Sequence, residues 1–325
     1  YAGLTGVFVT LDKELKPKTE AVYRSIYAHG KDFYNVGVNY GYTGHRLSIS
    51  GETATGGCGA VATINSLSFS LADNLDIMAL QRFYSFNYYS LFAESFNSGG
   101  AVQNESGIYV GVNWKPAIGL NVLAYTDFAY FAWPKYQASN SSRSFDNLLQ
   151  FNYSKELWIF ALRYRFKMRE RDNEDKSRLV YRNEHRTRFS IARNGDLFSW
   201  KTQADMAYTK YSARSFGWML TQNISFNLAH VLNATVTLGY FNTDDYDSRV
   251  YAYERGLLYS FYSPAYYGNG MRFAVVVSSA FSDVITIAAK IGSTKYFDRD
   301  KIGNSYQQID SSVATDLELQ LNITM

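Results

Sequence analysis

Basic residues recur at every second position in two neighbouring segments of the sequence, 163–167 and 182–188. Guanidinium and ammonium groups are strong charged donors to oxyanions, so a cluster of them can select anions. Alternation with period two places such side chains together on one face of a β-strand. The candidate site is a basic cluster that comprises Arg163, Arg165, Lys167, Arg182, Arg186 and Arg188.

Three acidic residues form a second candidate, because Asp244, Asp245 and Asp247 lie in one short segment and carboxylates bind hard cations. Their spacing differs from that of a calcium-binding loop. Asp is also favoured in tight turns, so we interpret this segment as a solvated hairpin end. The single cysteine, Cys58, excludes an intrachain disulfide and any multi-cysteine metal site.

The histidines give no metal or catalytic motif. His29, His45, His185 and His230 are scattered, with no two at metal-ligand spacing. The nearest nucleophile and base, Ser190 and His185, are about 17 Å apart along an extended strand and on opposite faces. We therefore predict that the protein is not an enzyme and needs neither a metal nor another cofactor.

The elements that carry the basic cluster are predicted to be two strands of a hairpin. Apolar residues alternate with the cations of 158–168, and a second alternating run covers 179–191, beyond a polar loop at 169–177. Similar alternation recurs at 198–208, 224–228, 236–240 and 285–291. Clusters of Gly, Asn, Asp and Ser separate such runs, and no convincing helix or interdomain linker is found.

Composition favours membrane-spanning strands over membrane-spanning helices. Aromatic residues make up 17% of the chain, which contains only 4 prolines. The mean hydropathy is −0.25. No run approaches the roughly 18 apolar residues of a transmembrane helix, whereas a lipid-facing strand needs apolar residues only at alternate positions. The net charge of +3 is too small to indicate a nucleic-acid binder.

We predict an all-β fold, an antiparallel transmembrane β-barrel of the bacterial outer membrane, as one domain over residues 1–325. With strands of about 9 to 11 residues, the length accommodates at least about 14 to 16 strands. Trp158 and Trp200 near strand ends are typical of interfacial aromatic girdles. The last residues, 317–325, alternate strictly and resemble a barrel's C-terminal recognition strand, although the chain ends in Met325 rather than Phe or Trp.

Three stretches carry a more specific resemblance. They are Asp-Phe-Tyr-Asn-Val-Gly-Val-Asn-Tyr at 32–40 with His-Arg-Leu-Ser-Ile-Ser-Gly-Glu-Thr at 45–53, Val-Gln-Asn-Glu-Ser-Gly-Ile-Tyr at 102–109, and Tyr-Asp-Ser-Arg-Val-Tyr-Ala-Tyr-Glu-Arg-Gly-Leu-Leu-Tyr at 246–259 with Pro-Ala-Tyr-Tyr-Gly at 264–268. The chain thereby resembles the C-terminal barrel of outer-membrane proteins with an N-terminal helix-hairpin-helix region, the competence-like or DNA-uptake-like proteins. The 246–259 block is the most specific of the three.

The resemblance implies that a helix-hairpin-helix region and the first barrel strands precede Tyr1, so that the barrel given by 1–325 is incomplete. It implies contact with DNA only through that upstream region. Outer-membrane lipid is the expected surrounding, and other envelope proteins are expected partners.

Two functions follow as alternatives. In the first, the barrel is a passage or uptake channel for DNA or another anionic substrate, and the basic cluster lines its interior. In the second, the barrel is plugged and serves as a scaffold or subunit of an outer-membrane complex, and the cations are only balanced by acids such as Glu184 and Asp205.

Overall fold

The computed structural model describes residues 1–228, 232–260, 263–282 and 284–323. Short 3-10 helices lie at Val22–Arg24, Tyr246–Ser248 and Ser305–Gln307. The strands are β1 (Ala2–Leu15), β2 (Gly30–Thr43), β3 (Leu47–Gly56), β4 (Val61–Ala72), β5 (Leu75–Tyr84), β6 (Glu105–Ala117), β7 (Leu120–Phe131), β8 (Ser142–Lys155), β9 (Trp158–Asp172), β10 (Leu179–Arg193), β11 (Phe198–Lys210), β12 (Arg214–Leu228), β13 (Leu232–Thr243), β14 (Val250–Tyr251), β15 (Ala265–Tyr266), β16 (Asn269–Ala280), β17 (Ile285–Tyr296) and β18 (Val313–Ile323).

Within these residues, sixteen strands form one antiparallel sheet in chain order from β1 to β13 and on through β16 to β18. β14 and β15 form a separate two-stranded ribbon. β1 and β18 are the edge strands, and no ladder joins them in the described ranges. The predicted all-β, antiparallel fold class with at least fourteen to sixteen strands is therefore confirmed.

The longest connections between sheet strands follow strands that run in the same direction, although short connections such as 211–213 also occur at that end. Short turns at 73–74, 118–119 and 156–157 follow strands that run in one direction. Long loops at 85–104 and 244–268 follow strands that run in the other. Bacterial outer-membrane barrels have this asymmetry, with short periplasmic turns and longer extracellular loops.

Strands of the sheet such as β16 and β18 have an apolar face and a polar face, as the period-two pattern predicted. In β18, Leu319 is 73% exposed, and its alternate neighbours Leu317 and Leu321 are also exposed. In β16, Met271 and Phe273 are exposed, whereas Arg272 between them is only 5% exposed. The apolar face therefore points outward, and the charged side chains point to the covered side.

This arrangement is the reverse of a soluble protein, in which charged side chains are almost never fully buried and large apolar patches are covered. Each large apolar side chain left in water forgoes roughly 1.5 to 3 kcal/mol of burial free energy. The apolar face carries such side chains on successive strands, so hydrocarbon is the medium that fits it. None of the described helices is long and apolar enough to cross a membrane.

Contacts between residues divide the chain into two compact units. The first unit comprises Tyr1–Leu149 and Arg165–Asn183, and the second comprises Gln150–Tyr164 and Glu184–Met325. The prediction of a single domain over 1–325 stays a prediction.

The predicted strands that carry the basic cluster correspond to β9 and β10. Trp158, Phe160 and Leu162 lie on the exposed face of β9, as expected. Trp158 also packs edge-to-face against Trp200, with ring centroids 5.7 Å apart. The alternation predicted for the C-terminal strand holds through Ile323, and Met325 lies outside the described residues.

Candidate functional site: loops held on the polar face

In the second unit, the long loop 244–268 folds back over the polar face of the sheet. Its ribbon strand β14 carries Val250, which is 1% exposed, and Ala252 follows it, fully buried. Both pack in one cluster with Met219 of β12 and Phe241 of β13. Small apolar side chains of the loop therefore fill the space above the sheet.

Aspartates start this loop by binding backbone groups. The Asp245 carboxylate accepts hydrogen bonds from the backbone N–H of Asp247 at 2.7 Å and from the Ser215 hydroxyl at 2.5 Å. Asp244 accepts one from the backbone N–H of Phe216 at 2.8 Å. Asp245 thereby caps the 3-10 helix Tyr246–Ser248. The carboxylates serve the turn, as the hairpin-end interpretation predicted.

A buried ion network anchors the middle of the loop. Glu254 accepts hydrogen bonds from Nε and Nη2 of Arg272 at 2.8 and 2.9 Å and from the Tyr266 hydroxyl at 2.6 Å. Lys290 of β17 lies 3.6 Å from the same carboxylate. A bidentate guanidinium–carboxylate pair of this kind is among the strong charge-assisted contacts.

The network continues into β18. Arg272 also binds Asp316, with Nη1 2.6 Å from Oδ1, and Lys290 lies 3.4 Å from Glu318. Two buried cations thus face three carboxylates, and the loop carboxylate is shared by both cations. Breaking such a buried network leaves an uncompensated charge, so the loop is held firmly on the sheet.

Two members of the predicted basic cluster hold the same loop from β10. Arg186 donates to the Arg249 backbone carbonyl at 3.1 Å, and Arg188 donates to the Tyr251 carbonyl at 3.3 Å. Arg188 also binds Asp205 at 2.6 Å, and Arg186 lies 3.8 Å from Glu184. The two acids named from the sequence as balancing charges therefore pair with these arginines.

A pocket of about 390 Å³ remains between this loop and β10 to β13. Its charged lining residues are Lys201 and Arg255, and no carboxylate lines it within the described part of the chain. Gln203, Asn223 and Thr221 add polar groups, and the Thr221 hydroxyl is buried without a hydrogen-bond partner. The pocket is therefore electropositive and offers donors to an anion.

In the first unit, the remaining paired members of the basic cluster share one acid that the sequence did not single out. Arg165 binds Asp146 of β8 with two hydrogen bonds, at 2.8 and 2.5 Å, and Lys167 lies 3.2 Å from the same carboxylate. Arg182 is buried in this unit. Arg163, in the second unit, is half-buried. The role of all six as one anion path stays a prediction.

A second buried arginine ties down the loop 85–104 of the first unit. Arg82 of β5 is fully buried and binds Glu105 at 2.5 Å and Asp127 at 2.7 and 3.1 Å. Glu105 in turn accepts hydrogen bonds from the backbone N–H groups of Ser98 and Gly99. The loop is thus attached to the polar face through the carboxylate that Arg82 neutralises.

The other sequence candidates do not form a catalytic or metal site in the described residues. The His185 ring lies 2.8 Å from the Tyr164 hydroxyl, on the face of β10 opposite to Ser190. His29 contacts the Tyr27 carbonyl, and His230 lies outside the described residues. No three His, Cys, Asp or Glu side chains in the described ranges are placed to hold a metal ion.

The buried cations Arg82, Arg272 and Lys290 are the main residues that the sequence analysis missed. Each is a charged residue in a strand whose outward positions are mostly apolar. Its position in the alternation therefore predicts that its side chain lies on the polar face. Their partners Asp316 and Glu318 also alternate with apolar residues in β18, whereas Glu254 gave no such signal. Glu254 lies in a loop, and the pairing depends on the path of that loop.

No protein-family model matches this chain, and no curated protein does either. An anion-selective porin from Comamonas acidovorans is similar over 99% of this chain and 99% of that one, with 9% identity and a TM-score of 0.48. The outer membrane channel DcaP of Acinetobacter baumannii covers 98% and 96%, with 9% identity and a TM-score of 0.45. Outer-membrane expressed OmpT of Vibrio cholerae covers 99% and 95%, with 10% identity and a TM-score of 0.45. The outer-membrane location stays a prediction.

Proposed function

We propose that this chain is an outer-membrane β-barrel channel whose passage is narrowed by loops folded onto the polar face, and that it favours small anions. The observation that carries the proposal is the electropositive pocket beneath loop 244–268. Lys201 and Arg255 line it together with amide and hydroxyl groups, without a lining carboxylate among the described residues.

The remaining cations of the polar face support anion preference less directly, because most of them are paired. Arg188 is committed to Asp205, and Arg165 and Lys167 share Asp146. A paired cation contributes little net field to a passing ion, whereas an unpaired one raises the local anion concentration. Selectivity is therefore assigned to the pocket of Lys201 and Arg255 rather than to the whole basic cluster.

The alternative function, a plugged barrel that serves as a scaffold, is favoured by the apolar packing of Val250 and Ala252 above the sheet. A loop that fills the interior would leave no continuous water path. Conductance distinguishes the two functions directly. Uptake of DNA, which the helix-hairpin-helix resemblance implies through an upstream region, stays a prediction.

The test is single-channel recording in planar bilayers under a KCl gradient. The full chain is expected to conduct, and the sign of its reversal potential should show that chloride is more permeable than potassium. Replacing Lys201 and Arg255 together by Gln should shift that potential toward cation preference, because the unbalanced positive charge is removed. Higher salt should reduce the difference between the two proteins through screening.

Lys210→Gln is the matched control, since Lys210 lies in the same strand β11 but is exposed at its end. It should leave the reversal potential unchanged. A protein that inserts in bilayers but never conducts would refute the channel and favour the scaffold. A conducting protein whose selectivity is the same before and after the double change would retain the channel and refute the assignment of selectivity.

A further inference from the structure

Three loops of the first unit are tied together above a cavity. They are the loops 16–29, 85–104 and 132–141. Asn104 exchanges two hydrogen bonds with the Trp133 backbone, at 2.7 and 2.8 Å, and the Trp133 indole N–H donates to the Val22 carbonyl at 3.2 Å. Gln103 donates to the Ile26 carbonyl at 2.8 Å. The cavity walls are therefore held by specific contacts between all three loops.

The cavity has a volume of about 280 Å³ and two kinds of wall. One is aromatic, with Tyr23, Tyr27 and Tyr136 contributed by two of the loops. The other is basic and consists of Lys135, Arg169 and Arg171, beside the single lining acid Glu170. An apolar body and a negatively charged group would meet complementary surfaces there.

Lys135 is the most unusual group of the cavity. Its Nζ lies 3.1 Å from the centroid of the Phe131 ring, and this nitrogen makes no hydrogen bond or ion pair with any described residue. Burial, reinforced by the charge of Arg169, lowers the pKa of Lys135 to about 7. An ammonium that is partly removed from water without a protein acceptor is destabilised, and a bound anion would supply that acceptor.

The acids around Lys135 are already engaged. Glu170 accepts a hydrogen bond from the backbone N–H of Arg143 at 2.8 Å. Glu105 of β6 is held by Arg82 and by two backbone N–H groups. Asp146 is paired with Lys167 of β9, so it is not a free acid either.

The neighbouring hydroxyl groups do not neutralise the cavity either. Burial raises the pKa of Tyr27, so its hydroxyl stays protonated near neutral pH. The Tyr23 hydroxyl accepts a hydrogen bond from Arg24 at 3.1 Å. The cavity lining thus carries three cations, Lys135, Arg169 and Arg171, and one carboxylate, Glu170.

We propose that this cavity is a binding site for a small organic oxyanion, a sulfate or phosphate ester, whose charged group contacts Lys135 and whose body lies against the tyrosines. Charged donors to sulfate or phosphate oxygens form strong hydrogen bonds. Aromatic faces accept a ring or a sugar with little loss of side-chain entropy. The site belongs to the first unit alone and does not depend on the chain being a channel.

Binding is coupled to protonation, because only the ammonium form of Lys135 attracts the anion. The anion in turn favours the ammonium, so it binds with uptake of a proton when the pH exceeds the pKa of the empty site. Affinity should therefore fall as the pH rises above neutrality.

Isothermal titration of the full chain in detergent with phenyl sulfate tests this, since the probe keeps one negative charge across the range. Between about pH 6 and about pH 8.5 the affinity should fall by roughly thirty-fold, as the ammonium fraction falls. Benzyl alcohol, the neutral ligand control, should bind weakly and without pH dependence. Equal affinity for phenyl sulfate at both pH values would overturn the proposal.

Two variants separate charge from folding. Lys135→Met should abolish phenyl sulfate binding, while Lys135→Arg should retain it and lose the pH dependence, because guanidinium stays charged. Lys18→Met, an exposed lysine of the loop 16–29, should behave as the parent protein. If Lys135→Met binds as tightly as the parent, or if Lys135→Arg keeps the full pH dependence, Lys135 is not the coupled group and the proposal is wrong.

Discussion

Glu254, from a loop, forms a bidentate ion pair with Arg272 of strand β16, at 2.8 and 2.9 Å, and both side chains are buried. A loop carboxylate is thus the counter-ion of a cation that projects from the sheet. Because Arg272 also binds Asp316, it keeps one acidic partner if the loop leaves. The pair is therefore the main electrostatic tie between loop 244–268 and the sheet.

The first prediction follows from this pair. Glu254→Gln should loosen the loop, because the amide loses the charge-assisted contacts with Arg272 and Lys290 while Asp316 and Glu318 still neutralise these cations, with a loss of about 1.5 to 3 kcal/mol. Limited proteolysis should then cleave at Arg255 faster than in the parent protein. Asp300→Asn, a charge change in the exposed loop 297–312, is the control and should not alter the cleavage rate. Unchanged cleavage in Glu254→Gln would mean that apolar packing alone holds the loop.

Arg82 gives a second prediction, in the first unit. Arg82→Gln should lower the free energy of unfolding by roughly 3 to 5 kcal/mol, because Glu105 and Asp127 would remain buried without a cation. Urea unfolding in detergent measures the effect. Arg46→Gln removes an exposed pair with Asp73, at 3.4 Å, and should cost less than about 1 kcal/mol. Similar losses in the two variants would argue against a buried network at Arg82.

The facing of β9 is tested by labelling, after Cys58 has been replaced by Ser. A cysteine at Leu162 should react with a lipid-phase reagent, because Leu162 lies on the exposed apolar face. A cysteine at Arg163 should react only with a water-borne reagent, since adjacent residues of a strand point to opposite faces. A register shifted by one residue would exchange the two results.

The basic cluster on β9 and β10 leads to a fourth prediction, in which Arg163, Arg165 and Arg186 are replaced together by Gln. Asp146 would lose one of its two cations and Glu184 its arginine. We expect a lower unfolding midpoint with little change of ion selectivity, because these cations are mostly balanced. A large shift of selectivity at unchanged stability would instead favour the anion path through the whole basic cluster.

The pH dependence of stability provides a fifth prediction. Burial lowers the pKa of Lys135 to about 7, so between that pH and its ordinary value of 10.5 the unfolded chain binds more protons than the folded one. Stability should therefore rise as the pH increases through this window, and below it the full cost of the buried ammonium remains. Urea midpoints of the parent protein and Lys135→Met, compared from about pH 6 to about pH 9, should diverge in slope. Equal pH dependence of the two urea midpoints would contradict a lowered pKa of Lys135 in the folded protein.

The sequence predicted the strands and their faces well because both depend on local alternation. Leu162 and Arg163 could be assigned to opposite faces from their positions alone, and the turn character of Asp244 and Asp245 followed from residue type. The balancing acids Glu184 and Asp205 were also identified, since they lie near the arginines in the same or the next strand. Asp146 of β8 was missed although it also lies in a neighbouring strand, because alternation does not give the register that places it beside Arg165 and Lys167.

Alternation of apolar and polar residues by itself determined the all-β antiparallel class and the outward apolar face, because a period of two is a property of each strand separately. Only the tertiary structure decided that the loop 244–268 folds onto the polar face and that its Glu254 meets Arg272. A loop has no periodicity to indicate its path, and its position depends on packing and ion pairs between residues distant in sequence. Lys135 illustrates the same limit, since the cavity that it lines is built from residues distant in sequence.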